Sequence, residues 1–157
     1  MTNVIGRGLQ IWQDLRPSGN IARLAIHEAG SANLPGKDGG PYDAYRHVLW
    51  TAEMTRLYGE LVARTLAETH EIEGRVINGQ SPQNEAMDRR NNEVGFEIGR
   101  TSTSWRETVE RARAEISRSA ESGSTNPAPD LPLQWLPIDN WRHSDLDPDP
   151  APRDSKS

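Results

Sequence analysis

Asp43 and His47 lie one helical turn apart in "PYDAYRHVLW", with Arg46 between them. A carboxylate at that spacing can orient an imidazole and raise its basicity. Arg46 adds a fixed positive charge for an anion that develops during a reaction. A second pair, His70 and Glu71, stands in "AETHEIEGRV", and Asp88, Asn91 and Asn92 stand together in "NEAMDRRNNEVGFEIG". A histidine base with an orienting acid, near a second His-Glu pair, suits hydrolysis or group transfer. In that scheme His47, oriented by Asp43, is the general base, and His70 with Glu71 supplies an acid or a supporting partner. Trp50 shares the face of His47 and would wall a pocket, while Asp88, Asn91 and Asn92 would face the substrate. Two histidines, a glutamate and an aspartate also form a divalent-metal ligand set. No HExxH motif accompanies it, so the cofactor is unknown and the sequence signal for a divalent metal is a weak one.

Each of these groups also has a plain structural reading. A single histidine on an apolar helix face is more often a satisfied core group than a catalyst. His70 at a helix C-terminus would interact well with the macrodipole, although Glu71 beside it would not. Asp88, Asn91 and Asn92 could form a network that holds helices together, since each buried polar group left unpaired costs ~1–3 kcal/mol. On this reading the chain is a non-catalytic binding or adaptor module. His27-Glu28 reads as a surface feature, and His143 as a solvated tail residue.

Positioning the three groups falls to four or five helices. "NIARLAIHEA" begins with Asn20 as an N-cap and ends at Gly30 as the C′ residue. A further helix in the first ten residues is weakened by Gly6 and Gly8. Pro41 and Asp43 open the longest helical stretch, which runs to Glu71 and is interrupted at Gly59. Ser81-Pro82 reads as N-cap and N1 of a helix to about residue 100. "STSWRETVERARAEISRSA" carries a capping box, Ser104 with Glu107, and an apolar stripe of Trp105, Val109, Ala112 and Ile116.

Gly59 decides whether the two histidines meet. In one straight helix, the 23 residues between His47 and His70 span roughly 34 Å at ~1.5 Å per residue. The apolar stripe continues past Gly59 through Leu61 and Val62, so the straight helix is the preferred reading. A chain reversal at Gly59 would instead bring the imidazoles level, because His47 precedes it by 12 residues and His70 follows it by 11. Gly95 and Gly99 fall on one helical row with Asp88 and Asn92, which allows a neighbouring helix to approach closely.

Composition narrows the field. The chain has 157 residues, 34% hydrophobic and 26% charged, with 11 prolines, 13 glycines and a net charge of −5. That suits one helical domain at residues 1–121, followed by an extended strap at 122–143 and a disordered tail at 144–157. The expected fold class is mainly α, a small helical bundle with an irregular proline-rich strap. The strap sequence "LPLQWLPIDNW" would dock over the domain or bind a partner. Asp145, Asp147 and Asp149 alternate like calcium ligands, but Pro148, Pro150 and the missing downstream glutamate argue against an EF-hand loop.

The negative charge disfavours nucleic acid. Arg89, Arg90, Arg100, Arg106, Arg111 and Arg113 read as a solvated helix face. Absence of cysteine excludes disulfides and thiolate chemistry. The sequence shows no membrane span and no signal-peptide h-region, which implies synthesis in the cytoplasm and, if exported, a specialised secretion route. Oligomeric state is not readable.

The segments "GPYDAYRHVLWTAEMTRLYGELVARTLAETHE" and "AMDRRNNEVGFEIG", over roughly residues 39–100, resemble an uncharacterised bacterial domain family. Its pattern runs D-A-x-R-H-x-x-W, T-R-x-x-G-x-x-x-A, H-E and M-D-x-x-N-N-x-x-G. It takes in Asp43, Arg46, His47, Trp50, Gly59, His70, Glu71, Asp88, Asn91, Asn92 and Gly95. Such modules are often C-terminal parts of secreted or polymorphic toxins. The resemblance therefore implies an interbacterial effector, with an immunity or delivery protein as partner, and carries no reaction with it. Combined with the residue chemistry, it gives the expectation of an effector-type hydrolase acting on an envelope component, lipid or peptidoglycan.

Overall fold

The computed structural model describes residues 4–16, 19–121, 133–136 and 138–140. The chain forms six α-helices: α1 (Val4–Leu15), α2 (Asn20–Ser31), α3 (Pro41–Tyr58), α4 (Glu60–Ile77), α5 (Pro82–Thr101) and α6 (Trp105–Glu121). A short 3-10 turn follows at Ile138–Asn140, and there is no strand among the described residues. The mainly α bundle expected from the sequence is the fold observed.

α3 is the axis of the bundle. Every residue from Asp43 to Thr55 except Arg46 is buried, so this helix has no solvent face over three turns. A helix enclosed on all sides needs small residues where its neighbours cross, and α3 provides Ala44, Thr51, Ala52 and Thr55. α5 meets it with Gly95 and Gly99. A Cβ on Gly95 would overlap Thr51 and lie 2.9 Å from Val48 O, and one on Gly99 would overlap Ala52 O and lie 2.5 Å from Thr55 Cβ. The glycine row read from the sequence is therefore the contact that seats α5 against α3. Thr51 and Thr55 bond back to the carbonyls of His47 and Thr51, both at 2.8 Å, and so bury no unmatched hydroxyl.

The preferred straight helix is overturned at Gly59. This residue has φ 88° and ψ 157°, a region open to glycine alone, and the chain doubles back there into α4. The stripe across Gly59 misled because Leu57 and Leu61 are not core: they are 45% and 80% exposed. α4 also runs on to Ile77, so His70 and Glu71 lie inside a helix and the macrodipole argument does not apply to them.

Three smaller expectations change at the helix ends. α1 forms across Gly6 and Gly8, extending to Leu15. Gly19, not Asn20, is the N-cap of α2, because the Asn20 side chain is drawn to Asp14 Oδ1 at 2.8 Å. Gly30 is inside α2, which closes at Ala32. Ser81 caps α5 as expected, accepting from Asn84 N at 3.2 Å. At α6, Ser104 Oγ accepts from Glu107 N at 3.1 Å, while Glu107 reaches back to Thr103 N at 2.8 Å instead of to Ser104.

Beyond α6, Leu133 and Trp135 are buried against the bundle. Asn91 clasps the backbone between them: its Nδ2 donates to Gln134 O at 2.8 Å and its Oδ1 accepts from Gln134 N at 2.9 Å. Leu136 N donates to Gly39 O at 2.6 Å. The rest of the expected strap, the tail with His143, and Asp145, Asp147 and Asp149 lie outside the described residues.

The basic residues are largely paired. Arg89 binds Glu68 and Glu85, Arg100 binds Glu60, Arg106 binds Glu110, Arg111 binds Glu107 and Arg113 binds Glu28. Those with both partners exposed, such as Arg106–Glu110, contribute little to stability individually. No helix among the described residues is long and apolar enough to cross a membrane.

Candidate active site

Reversal at Gly59 sets the two histidines side by side. Their ring centroids are 5.9 Å apart, and Trp50 packs edge-on against both, at 6.4 Å from His47 and 5.4 Å from His70. α3 supplies Asp43, Arg46, His47 and Trp50, α4 supplies His70 and Glu71, and α5 supplies Asp88 and Asn92. One site thus draws on three helices, and the glycine contact between α3 and α5 sets how near Asp88 comes to His47.

At the centre, His47 Nε2 lies 3.6 Å from Asp43 Oδ1 and 3.4 Å from Asp88 Oδ1. Arg46 Nη2 bridges two of these atoms, at 2.5 Å from Asp43 Oδ1 and 3.1 Å from His47 Nε2. The outer oxygens of both carboxylates are held from behind. Asp43 Oδ2 accepts from Gly39 N at 2.9 Å, and Asp88 Oδ2 accepts from Gln80 Nε2 at 2.6 Å. Asp88 Oδ1 is buried with no hydrogen-bond partner. Behind the ring, Asn92 is the polar neighbour that favours protonated His47, while Asn92 Oδ1 and His47 Nδ1 are each buried without a hydrogen bond.

The electrostatics follow from this burial. His47 is pushed down to about 3 by loss of water and by the Arg46 charge, against the pull of Asp43, so it is neutral at pH 7. With Arg46 donating to Nε2, the ring proton belongs on Nδ1. Asp43 feels burial upward, but Arg46, His47 and the Gly39 N–H outweigh it and hold its pKa below the ordinary value. Asp88 is raised well above the carboxylate range by burial and by the charges of Asp43 and Glu71. Glu71 is raised to about 7, chiefly by burial, although Asn92 Nδ2 donates to its Oε1 at 3.3 Å. His70 is lowered by burial and by Arg46.

The cluster opens into a polar cleft of about 590 Å³, lined among others by Lys37, Asp43, Arg46, His47, His70 and Asp88. His70 also lines an apolar groove of about 450 Å³, walled by Ile11, Trp12, Leu15, Trp50 and Leu66. His70 borders both.

Of the residues picked out by sequence, Asp43, Arg46, His47, Trp50, His70 and Asp88 converge as one constellation. Glu71 is adjacent to His70 in the chain but separated from it in space: it is 1% exposed and turned to Asn92, not to the cleft. Asn91 takes no part in the cleft and serves the Gln134 backbone. His27 is exposed, whereas Glu28 accepts from Tyr45 Oη at 3.1 Å and from Arg113. Sequence reasoning missed Gly39 and Gln80. Gly39 had a signal, because an acidic residue in the first turn of a helix commonly accepts from a backbone N–H just ahead of it. Gln80 had none, since its role depends on how the α4–α5 turn folds.

No curated protein and no solved structure matches the chain. Residues 4–124 match the family described as Domain of unknown function (DUF6973), a span that takes in all six helices up to Glu121 and the whole constellation. The chain belongs to that family.

Proposed function

We propose that this chain is a hydrolase of the effector type whose substrate is an ester-linked envelope lipid. The observation that carries the reading is that His70 lines both a polar cleft and an apolar groove. An amphiphile fits that arrangement: its acyl chain lies along Ile11, Trp12, Leu15 and Leu66, and its ester carbonyl reaches the cleft beside the Asp43–Arg46–His47–Asp88 cluster. Peptidoglycan, polar throughout, would leave the groove unused.

Burial distinguishes the two histidines. His47 is 2% exposed and its Nε2 is already engaged by Arg46, whereas His70 faces the space a substrate would fill. His70 therefore suits the proton-transfer role better, and His47 the anchored inner role. A water in the cleft attacks the ester carbonyl while His70 takes one of its protons. The tetrahedral intermediate collapses with breakage of the acyl C–O bond, and the leaving alkoxide receives that proton, giving a carboxylic acid and an alcohol. Arg46, only partly buried, is placed to meet the negative charge on the carbonyl oxygen.

Two experiments test this. Purified protein is incubated with micellar phospholipid and with peptidoglycan, and release of fatty acid or of soluble glycan fragments is followed. Fatty acid release that falls at least ~100-fold in His70→Ala supports the reading. Fragments from peptidoglycan alone, or no product from either, sink the lipid assignment. Expression in bacteria, directed to cytoplasm or periplasm, tests the effector role, which fails if growth is unaffected in both.

The adaptor reading draws some support from α4, where Leu61, Val76 and Ile77 are 80%, 72% and 74% exposed. Within the segment "LPLQWLPIDNW", Leu133 and Trp135 are buried against the bundle, whereas Ile138 is 48% exposed.

A further inference from the structure

The cluster brings three potential metal-ligand atoms together with no hydrogen bond of ordinary length between them. Asp43 Oδ1, His47 Nε2 and Asp88 Oδ1 lie within 4.8 Å of one another, all on buried residues. The two His47–carboxylate separations, 3.4 and 3.6 Å, are long for hydrogen bonds. They are the right length for ligands that share one ion. For donors ~2.1 Å from a common cation they correspond to angles of roughly 110–120°, near tetrahedral. Each carboxylate is also fixed through its outer oxygen, by Gly39 N and by Gln80 Nε2, so that Oδ1 turns inward. Hydrogen bonding of this kind orients the ligands of metal sites. Independently, Asp88 Oδ1 is fully buried, aimed at His47 Nε2 and without a partner.

We propose that Asp43, His47 and Asp88 bind one Zn2+ ion, leaving a fourth position open to the cleft. This set differs from the one the sequence suggested: Asp88 replaces His70 and Glu71. Arg46 is the stand-in cation in the structure described here, satisfying Asp43 and His47 while leaving Asp88 Oδ1 bare. Its side chain is 28% exposed and borders the cleft, so it can withdraw outward when the ion enters. Use of the ion to polarise the attacking water rests on the hydrolase reading above; its binding does not.

Arg46 makes the test specific. Full-length protein stripped with chelator is titrated with Zn2+ by calorimetry, and one ion per chain is expected. Asp88→Asn and Asp43→Asn should each weaken binding at least ~100-fold, since losing a donor costs more than losing its support. Arg46→Ala should tighten binding by roughly tenfold, because the competing charge is gone. A polar cluster with only a structural role predicts neither change. Absence of one-to-one binding, or unaltered binding in both aspartate variants, overturns the proposal. Should those variants fail to fold, Co2+-loaded wild-type protein decides. Intense visible absorption of a four- or five-coordinate site supports the ion, and a weak six-coordinate spectrum overturns it. Lipid cleavage undiminished by chelator removes the metal and leaves the hydrolase reading standing. Zn2+ bound with no lipid cleaved keeps the metal site and removes the hydrolase reading.

Discussion

Replacing Gly99 by alanine tests the geometry on which the whole site depends. Its Cβ would overlap the Ala52 carbonyl and lie 2.5 Å from Thr55 Cβ and 3.0 Å from Thr55 Cγ2. The obstacle is mainly backbone and β-carbon, so no side-chain rotation relieves it, and α5 must move away from α3 by about an ångström. Overpacking of this kind costs ~1–3 kcal/mol, and contact with backbone puts it near the upper value. Alanine returns ~0.8 kcal/mol of helix propensity. The net expectation is a loss of about 2 kcal/mol. Gly30→Ala is the control, since a Cβ there meets nothing within 4 Å and Gly30 lies inside α2. It should be stabilising by about 0.5 kcal/mol. Urea unfolding of both variants against the parent reads the difference; with a slope of ~1.5 kcal/mol/M, Gly99→Ala moves the midpoint down by ~1.3 M. A Gly99→Ala protein as stable as the parent, with the same slope, would refute the claim that helix contact at this glycine holds α5 in place.

Gly59→Ala meets no atom but must hold φ 88° and ψ 157°, so about 1–3 kcal/mol should be lost to backbone strain alone, read by the same unfolding curves. Asn91→Ala removes two hydrogen bonds to Gln134 and should destabilise by about 2 kcal/mol, read by the same unfolding curves. Glu71 gives a pH signature. Its folded pKa of about 7 exceeds the ordinary 4.5, so the folded state holds the proton more tightly. The contribution is therefore fully present below pH 4.5 and lost as pH rises through 7, by no more than about 3 kcal/mol. Glu71→Gln should flatten that slope; an unchanged pH profile of stability would show that Glu71 is ionised in the fold.

What the sequence revealed and what it hid have separate physical causes. The α5 glycines were legible because a row of Cβ-free positions has meaning only against another helix. The α6 stripe and the Ser81 cap were legible because both depend on neighbours a few residues away. The turn at Gly59 was not, because a lone glycine inside an apolar stripe serves a reversal and a straight helix equally well. Exposed Leu57 and Leu61 then imitated a continuous face. Asp43, His47, His70 and Asp88 were picked out by type, but the preferred straight helix kept the two histidines apart, and only the reversal at Gly59 brings them together. Roles were harder. Adjacent His70 and Glu71 point to different surroundings because successive helical residues are ~100° apart, and Asn91 and Asn92 divide in the same way between Gln134 and Glu71.

The hairpin at Gly59 also predicts an order of assembly. His47 and His70 are joined by a short, local loop of chain, so α3 and α4 can pair early and at small entropic cost. Asp88 arrives only when α5 docks across the glycine contact, a later and more distant closure. Until then the histidine pair has one carboxylate, from Asp43, and lacks the second. Variants at Gly95 and Gly99 should therefore slow the final folding step, while those at Gly59 slow the first.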